Sequence, residues 1–211
     1  MKIIPSINCA DKACAENRIK ILATLPSDWV HIDVAEKDFA HISTWDEPEE
    51  FKKLLAMHCP RHVHLEVHIM AKNVLDRATQ WMRIGAERII VHPGPVDIKT
   101  LDAELHESEI GFAIAPDTAP ETLIPYGEYI TFIQVLAVPP GPSGQVFNRS
   151  ALGKISFLRE HFPSATIETD GGITPEIIPE VRKAGADSVV VGSYIFESQN
   201  PLESYRKLEA A

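Results

Sequence analysis

Trp29-Val-His-Ile-Asp-Val34 sets a histidine and an aspartate two residues apart in an otherwise apolar run. Side chains two apart on an extended strand point the same way, so His31 and Asp33 share one face. His62-Val-His-Leu-Glu-Val-His-Ile69 repeats the device: His64, Glu66 and His68 share a face, with His68 nearest the carboxyl end. A third run, Ala165-Thr-Ile-Glu-Thr-Asp170, ends in an aspartate immediately before Gly171-Gly172. Polar groups facing the interior of an apolar strand cost free energy unless they are paired or bound to an ion. Two imidazoles and two carboxylates, converging from three strands, offer the nitrogen and oxygen donors that suit a divalent cation. A lone inward histidine is more often a hydrogen-bonded core residue, so the metal reading needs several strands to offer such groups together, as these do. His41, His58, His106 and His161 read as surface residues, and His62 as strand edge. His64 and Glu66 fit either support of the ligands or lining of the interior. His92, closing Ile89-Ile-Val-His-Pro93, points toward the same end and is a candidate substrate contact.

A second constellation is built from glycine. Gly141-Pro-Ser-Gly-Gln145, Gly171-Gly172 and Gly192-Ser193 each follow an apolar run. Without a Cβ, backbone N–H groups can close on an anion, and parallel barrels commonly hold phosphate in the loops after their last strands. Glycine is also ordinary turn punctuation; three such loops in succession are what single out an anion pocket. The formal charge of −10 argues against broad attraction to nucleic acid or to an anionic membrane surface. Backbone dipoles bind an anion without a basic patch, so a small phosphorylated ligand is compatible with that charge.

These groups need a scaffold that brings strand ends together. Short apolar runs, Ile3–Ile7, Trp29–Val34, His62–Ile69, Arg88–His92, Ile110–Ala115, Ile130–Val138, Thr166–Asp170 and Ser188–Val191, alternate with segments of helical spacing. The latter include Ala15–Leu25, Glu49–His58, Val74–Ile84, Arg149–Glu160 and Pro175–Ala184. Asp97–Leu105 and Pro120–Pro125 are the connections least marked by any period. Strand alternating with helix throughout predicts a parallel sheet, and about eight units predict one (β/α)8 TIM barrel over residues 1–211. An open doubly wound sheet is the competitor. The carboxyl ends of barrel strands form the catalytic mouth, where His31, Asp33, His68 and Asp170 would meet. Cys9, Cys14 and Cys59 lack metal spacing and suggest no disulfide framework, so a reducing cytoplasm is expected. No apolar stretch reaches the roughly 18 residues of a spanning helix, and the amino terminus lacks a signal-peptide pattern. A homo-oligomer is compatible with the sequence and not specified by it.

Seven segments, in order, resemble the ribulose-phosphate 3-epimerase family. They are Pro5-Ser6-Ile7, His31-Ile-Asp33-Val, Val67-His68-Ile-Met70, Gly111-Phe-Ala-Ile-Ala-Pro-Asp-Thr118, Val138-Pro-Pro-Gly-Pro-Ser-Gly-Gln145 with Phe147, Thr169-Asp-Gly-Gly-Ile173 and Val191-Gly-Ser-Tyr-Ile-Phe196. The resemblance implies that His31, Asp33, His68 and Asp170 ligate one divalent metal ion, Zn, Fe(II), Mn or Co. It implies that Asp33 and Asp170 are the acid and base on opposite sides of a ketose phosphate, most simply D-ribulose 5-phosphate. Ser6 would lie beside the metal, Met70 would cap it, and Gly144, Gly171, Gly172, Gly192 and Ser193 would line the phosphate pocket.

The chain departs from the family's pattern around the sugar. Ala35 and Leu136 stand where methionines are usual, Lys37 where a glycine is, Pro142 and Ser143 in the sixth loop, and Gly94 in place of Glu. A smaller Ala35 would suit a hexulose phosphate such as allulose 6-phosphate. A related decarboxylase or aldolase motif, Asp-x-Lys-x-x-Asp, is matched by Asp33 and Asp38 but has its lysine two places late, at Lys37. A sugar-phosphate-binding barrel without turnover is the non-enzymatic alternative, against which both retained carboxylates argue.

Overall fold

Eight parallel strands pair in sequence order, and β8 returns to β1 to close a barrel, which excludes the open doubly wound sheet. The computed structural model describes residues 1–94 and 97–211. The strands are β1 (Lys2–Ile7), β2 (Trp29–Ala35), β3 (His64–Met70), β4 (Arg88–Val91), β5 (Glu109–Ile114), β6 (Phe132–Leu136), β7 (Thr166–Asp170) and β8 (Ser188–Val191). Around them lie α1 (Lys12–Leu22), α2 (Lys37–Ala40), α3 (Pro48–His58), α4 (Val74–Arg83), α5 (Ile98–Glu104), α6 (Ser150–His161), α7 (Ile178–Ala184), α8 (Ser193–Phe196) and α9 (Pro201–Ala210). The fold is a (β/α)8 TIM barrel. Its β5–β6 crossing is a 3-10 segment, Pro120–Tyr129, in which Pro125 has no N–H to give to a helical ladder. Among the described residues no helix is long and apolar enough to cross a membrane.

Strand alternation sorts the barrel into two layers. Val30, Ile32 and Val34 of β2, with Val67 and Ile69 of β3, join Ile19, Leu22, Phe51 and Trp81 in an apolar core outside the barrel. The opposite faces fill the lumen, and much of it is polar: Ser6, His31, Asp33, Glu66, His68, Gln134, Glu168 and Ser188 are all buried. A small apolar plug, Ile90, Ala113 and Phe132, fills part of the lumen on the β4–β6 side. Gly111 makes room for that plug, because a Cβ there would lie 2.7 Å from the Phe132 ring. The Arg88 guanidinium lies over the same ring, 3.7 Å from its centroid.

One expectation is overturned. Cys9 and Cys14 form a disulfide, with Cα atoms 5.6 Å apart, and Cys59 is free and buried. The turn that joins them is made by Asp11, whose carboxylate caps α1 by accepting from the Cys14 N–H at 2.9 Å. That cap also starts α1 three residues before the Ala15 read from periodicity.

Candidate active site

Register places the chemistry at the carboxyl end of the strands. β1 pairs Ser6 with His31, β2 pairs Asp33 with His68, and β6 pairs Leu136 with Asp170. His31, Asp33, His68 and Asp170 therefore converge, each offering one ligand atom within 4.8 Å of all the others. Asp33 Oδ1 lies 3.4 Å from His31 Nε2 and 3.5 Å from His68 Nδ1. These contacts are longer than good N–H···O bonds of about 2.7–3.2 Å. They match the edge of a tetrahedron around an ion with bonds of about 2.1 Å, roughly 3.4 Å. His31 Nε2 and His68 Nδ1 are buried without a hydrogen-bond partner. An orphaned, buried imidazole nitrogen is costly, and two aimed at one carboxylate fit a shared cation. Ser6 Oγ donates to the other oxygen, Asp33 Oδ2, at 2.9 Å and fixes the carboxylate.

The two aspartates sit in different fields. Burial opposes ionisation of Asp33, but His31 and His68 outweigh it and hold its carboxyl well below the usual range. Burial, reinforced by the Asp33 charge, pushes Asp170 up to about 7. Burial lowers His68, whereas Asp33 and Glu66 overcome burial to raise His31. Close carboxyl groups with divergent acidity are the arrangement that acid–base pairs use.

Behind these four residues lies a supporting layer. His31 Nδ1 is 2.9 Å from Glu66 Oε1, and Arg88 donates to Glu66 Oε2 at 2.7 Å and to Glu109 at 2.8 Å. His68 Nε2 lies 3.0 Å from His92 Nε2, so one nitrogen carries a proton and the other accepts it. Burial, with the nearby His68, depresses His92 to about 3 and keeps it neutral. His92 does not line the cavity at the barrel mouth: it meets the back of His68 and packs against Phe39 at 4.9 Å. The face-sharing trio of β3 thus divides by height. Glu66 supports His31, whereas His64, at the opposite end of the barrel, stacks on Trp29 and bonds Glu87.

Above the carboxylates lies a cavity of about 60 Å³ lined by Ser6, Met70, Leu136, Gly144, Gly171, Gly172, Gly192 and Ser193 among others. Sites for small molecules run to roughly 300 Å³ and more, so this one is narrow, and residues 139–145 form one of its walls. Gln145 donates to Pro139 O and Pro142 O, and Asn8 to Gly141 O, which fold this segment inward. Gln145, which ends the sixth-loop segment read from the sequence, lines the cavity, as does Asn8, which was not singled out because a lone amide carries no pattern. The glycines are not equivalent. A Cβ on Gly172 would lie 2.2 Å from Phe147 N, so backbone packing alone requires glycine there. Gly192 has ordinary φ, and its Cβ would meet only the Ser143 hydroxyl at 2.8 Å.

Comparison with known proteins agrees. The sequence matches the Ribulose-phosphate 3 epimerase family over residues 2–196. It is 34% identical over 205 residues to ribulose-phosphate 3-epimerase of Chlamydia pneumoniae, covering 93% of this chain and 88% of that one. Against the ribulose-phosphate 3-epimerase of Oryza sativa subsp. japonica named as a cytoplasmic isoform, identity is 28% over 212 residues, covering 96% and 90%. Among solved structures, 3-hexulose-6-phosphate synthase from Salmonella typhimurium superposes with a TM-score of 0.71 at 16% identity, covering 100% and 97%, a likeness of fold. The chain is an isomerase and belongs to the ribulose-phosphate 3-epimerase family.

Proposed function

We propose that this protein inverts C3 of a ketose phosphate, interconverting D-ribulose 5-phosphate and D-xylulose 5-phosphate, at a site that binds one divalent metal ion. The observation that carries the reading is the meeting of two carboxylates, the buried Asp33 and the half-buried Asp170, with two buried imidazole nitrogens that lack protein partners. His31, Asp33, His68 and Asp170 would hold the cation, and their mixed nitrogen–oxygen set suits Zn, Fe(II), Mn or Co. When bound, such an ion supplies the positive charge that acidifies a C–H beside a carbonyl.

The chain's own groups account for the inversion. Asp33 stands on β2 and Asp170 on β7, with β1 and β8 between them, so a sugar in the mouth offers them opposite faces. One carboxylate takes the C3 proton, and the other carboxyl returns a proton to the far face. Ser6 holds Asp33 by its Oδ2. Met70 and Leu136 furnish an apolar wall, and Gly144, Gly171, Gly172, Gly192 and Ser193 line the side suited to phosphate.

The hexulose alternative loses its support, because Ala35 opens no space. It is buried against Ala40 and Met70, with Phe39 and Ile42 packed around them, and does not line the cavity. The decarboxylase alternative fails on position. Lys37 is exposed at the start of α2, and Asp38 pairs with Lys72 at the surface. A cytoplasmic setting accords with the Oryza sativa relative, which is named a cytoplasmic isoform.

The test is NMR of the metal-loaded protein with pentulose and hexulose phosphates in deuterated buffer. Interconversion of the two pentulose phosphates, with deuterium entering at C3, is expected. Turnover of hexulose phosphates alone would move the substrate, and tight binding without exchange would make the chain a binder.

A further inference from the structure

The end of the barrel opposite the mouth carries a second set of donor atoms. His64 opens β3, and His62 lies two residues before it, so both imidazoles project from one edge. Glu87 immediately precedes β4, the neighbouring strand. His62 Nε2 lies 3.4 Å from His64 Nδ1 and 3.6 Å from Glu87 Oε1, and His64 Nδ1 lies 2.7 Å from that oxygen. Three donors around one tetrahedral ion stand roughly 3.3–3.4 Å apart, so two separations already fit. The third is a close contact, with Glu87 Oε2 also 2.8 Å from His64 Nδ1, and the ion would stand between the two groups.

We propose that His62, His64 and Glu87 form a second binding site for a divalent transition-metal ion, facing solvent and separate from the catalytic cluster. His64 is four residues before His68 on the same strand, about 13 Å at ~3.3 Å per residue. Trp29 stacks on His64 with centroids 4.9 Å apart and fixes its plane. Among the described residues Glu87 pairs with His62 and His64 and with no lysine or arginine; Arg61, which lines the same pocket, donates instead to Leu22 O and Leu25 O. Lys2 and Arg88 both lie over Trp29, but Lys2 pairs with Asp28, and Arg88 with Glu66 and Glu109. Two imidazoles select zinc, nickel or copper over magnesium or calcium, with copper bound most tightly. Three protein donors leave a coordination position to water, since the His62 side chain is 73% exposed.

Zinc titration of the full chain by calorimetry, with total zinc counted by mass spectrometry, tests this. Wild type should bind two equivalents, and His62→Ala and Glu87→Gln one each, with the conversion of ribulose 5-phosphate unchanged. His31→Ala should keep the distal equivalent and lose the catalytic one. Copper(II) should quench Trp29 fluorescence in wild type and in His31→Ala, and not in His62→Ala. The site is refuted if His62→Ala and Glu87→Gln bind as much zinc as wild type, or if His31→Ala removes all binding.

Discussion

Replacing His92 by Phe should weaken metal binding at the proposed site without touching a proposed ligand. His92 Nε2 is 3.0 Å from His68 Nε2, and His68 Nδ1 faces Asp33. If Nδ1 gives its lone pair to a cation, the proton must sit on Nε2, and His92 must accept it. Phenylalanine fills the same space beside Phe39 but offers no acceptor. The His68 N–H is then buried and unpaired, which costs about 1–3 kcal/mol. Removing a group that orients a metal-bound histidine lowers metal affinity about 10–100-fold, or roughly 1.4–2.7 kcal/mol. The two routes agree on the magnitude. His92 is neutral, so no charge is lost with the ring. The assay is competition for metal against a chelator, with kcat then measured at saturating metal. His92→Phe should show the weaker affinity with much of kcat restored by excess metal, and His92→Gln, which returns an acceptor, should recover part of the affinity. Metal affinity in His92→Phe within twofold of wild type would refute the assignment of His68 Nδ1 to the cation.

Asp33→Asn and Asp170→Asn, each metal-loaded, should both lose epimerisation by ~10²–10⁴-fold. Each should still exchange the C3 proton of one epimer with deuterated water, and the two should serve opposite epimers by NMR. Gly192→Ala, which adds a methyl beside Ser143, should raise KM for the phosphorylated sugar roughly tenfold, the worth of one hydrogen bond to a charged group at ~1.5 kcal/mol. Metal content should stay intact, and an equal effect on the unphosphorylated sugar would argue against a phosphate role. Gly172→Val should instead fail to fold well, since it meets the Phe147 backbone. Reducing the Cys9–Cys14 bond, which spans five residues, should cost about 2 kcal/mol in urea unfolding.

Period-two spacing was enough to put His31 beside Asp33, and Thr166–Asp170 and Ser188–Val191 emerge as strands with the limits read from the sequence. Spacing along a strand does not say how high each residue sits in a closed barrel. His64, Glu66 and His68 shared a face on paper, yet they serve the lower rim, the support and the site. Ala35 illustrates the same limit for volume. The room left by its small side chain is taken up by Ala40, Phe39 and Ile42 of the following turn, which no local pattern announces. The Cys9–Cys14 bond depended on the cap at Asp11, a local hydrogen bond that the cysteine spacing did not reveal.

The division between an apolar shell and a polar lumen constrains how such a sequence can drift. Shell positions such as Val67 or Ile133 tolerate change of shape one residue at a time, at the price of volume mismatch. Glu66, held by both His31 and Arg88, has no such freedom. Deleting one member of a buried ion pair costs about 3–5 kcal/mol, whereas exchanging the whole group for apolar residues is often neutral. A lineage descending from this barrel can therefore keep its shell while altering its interior only through concerted replacements. Intermediates on that path would be the scarce sequences.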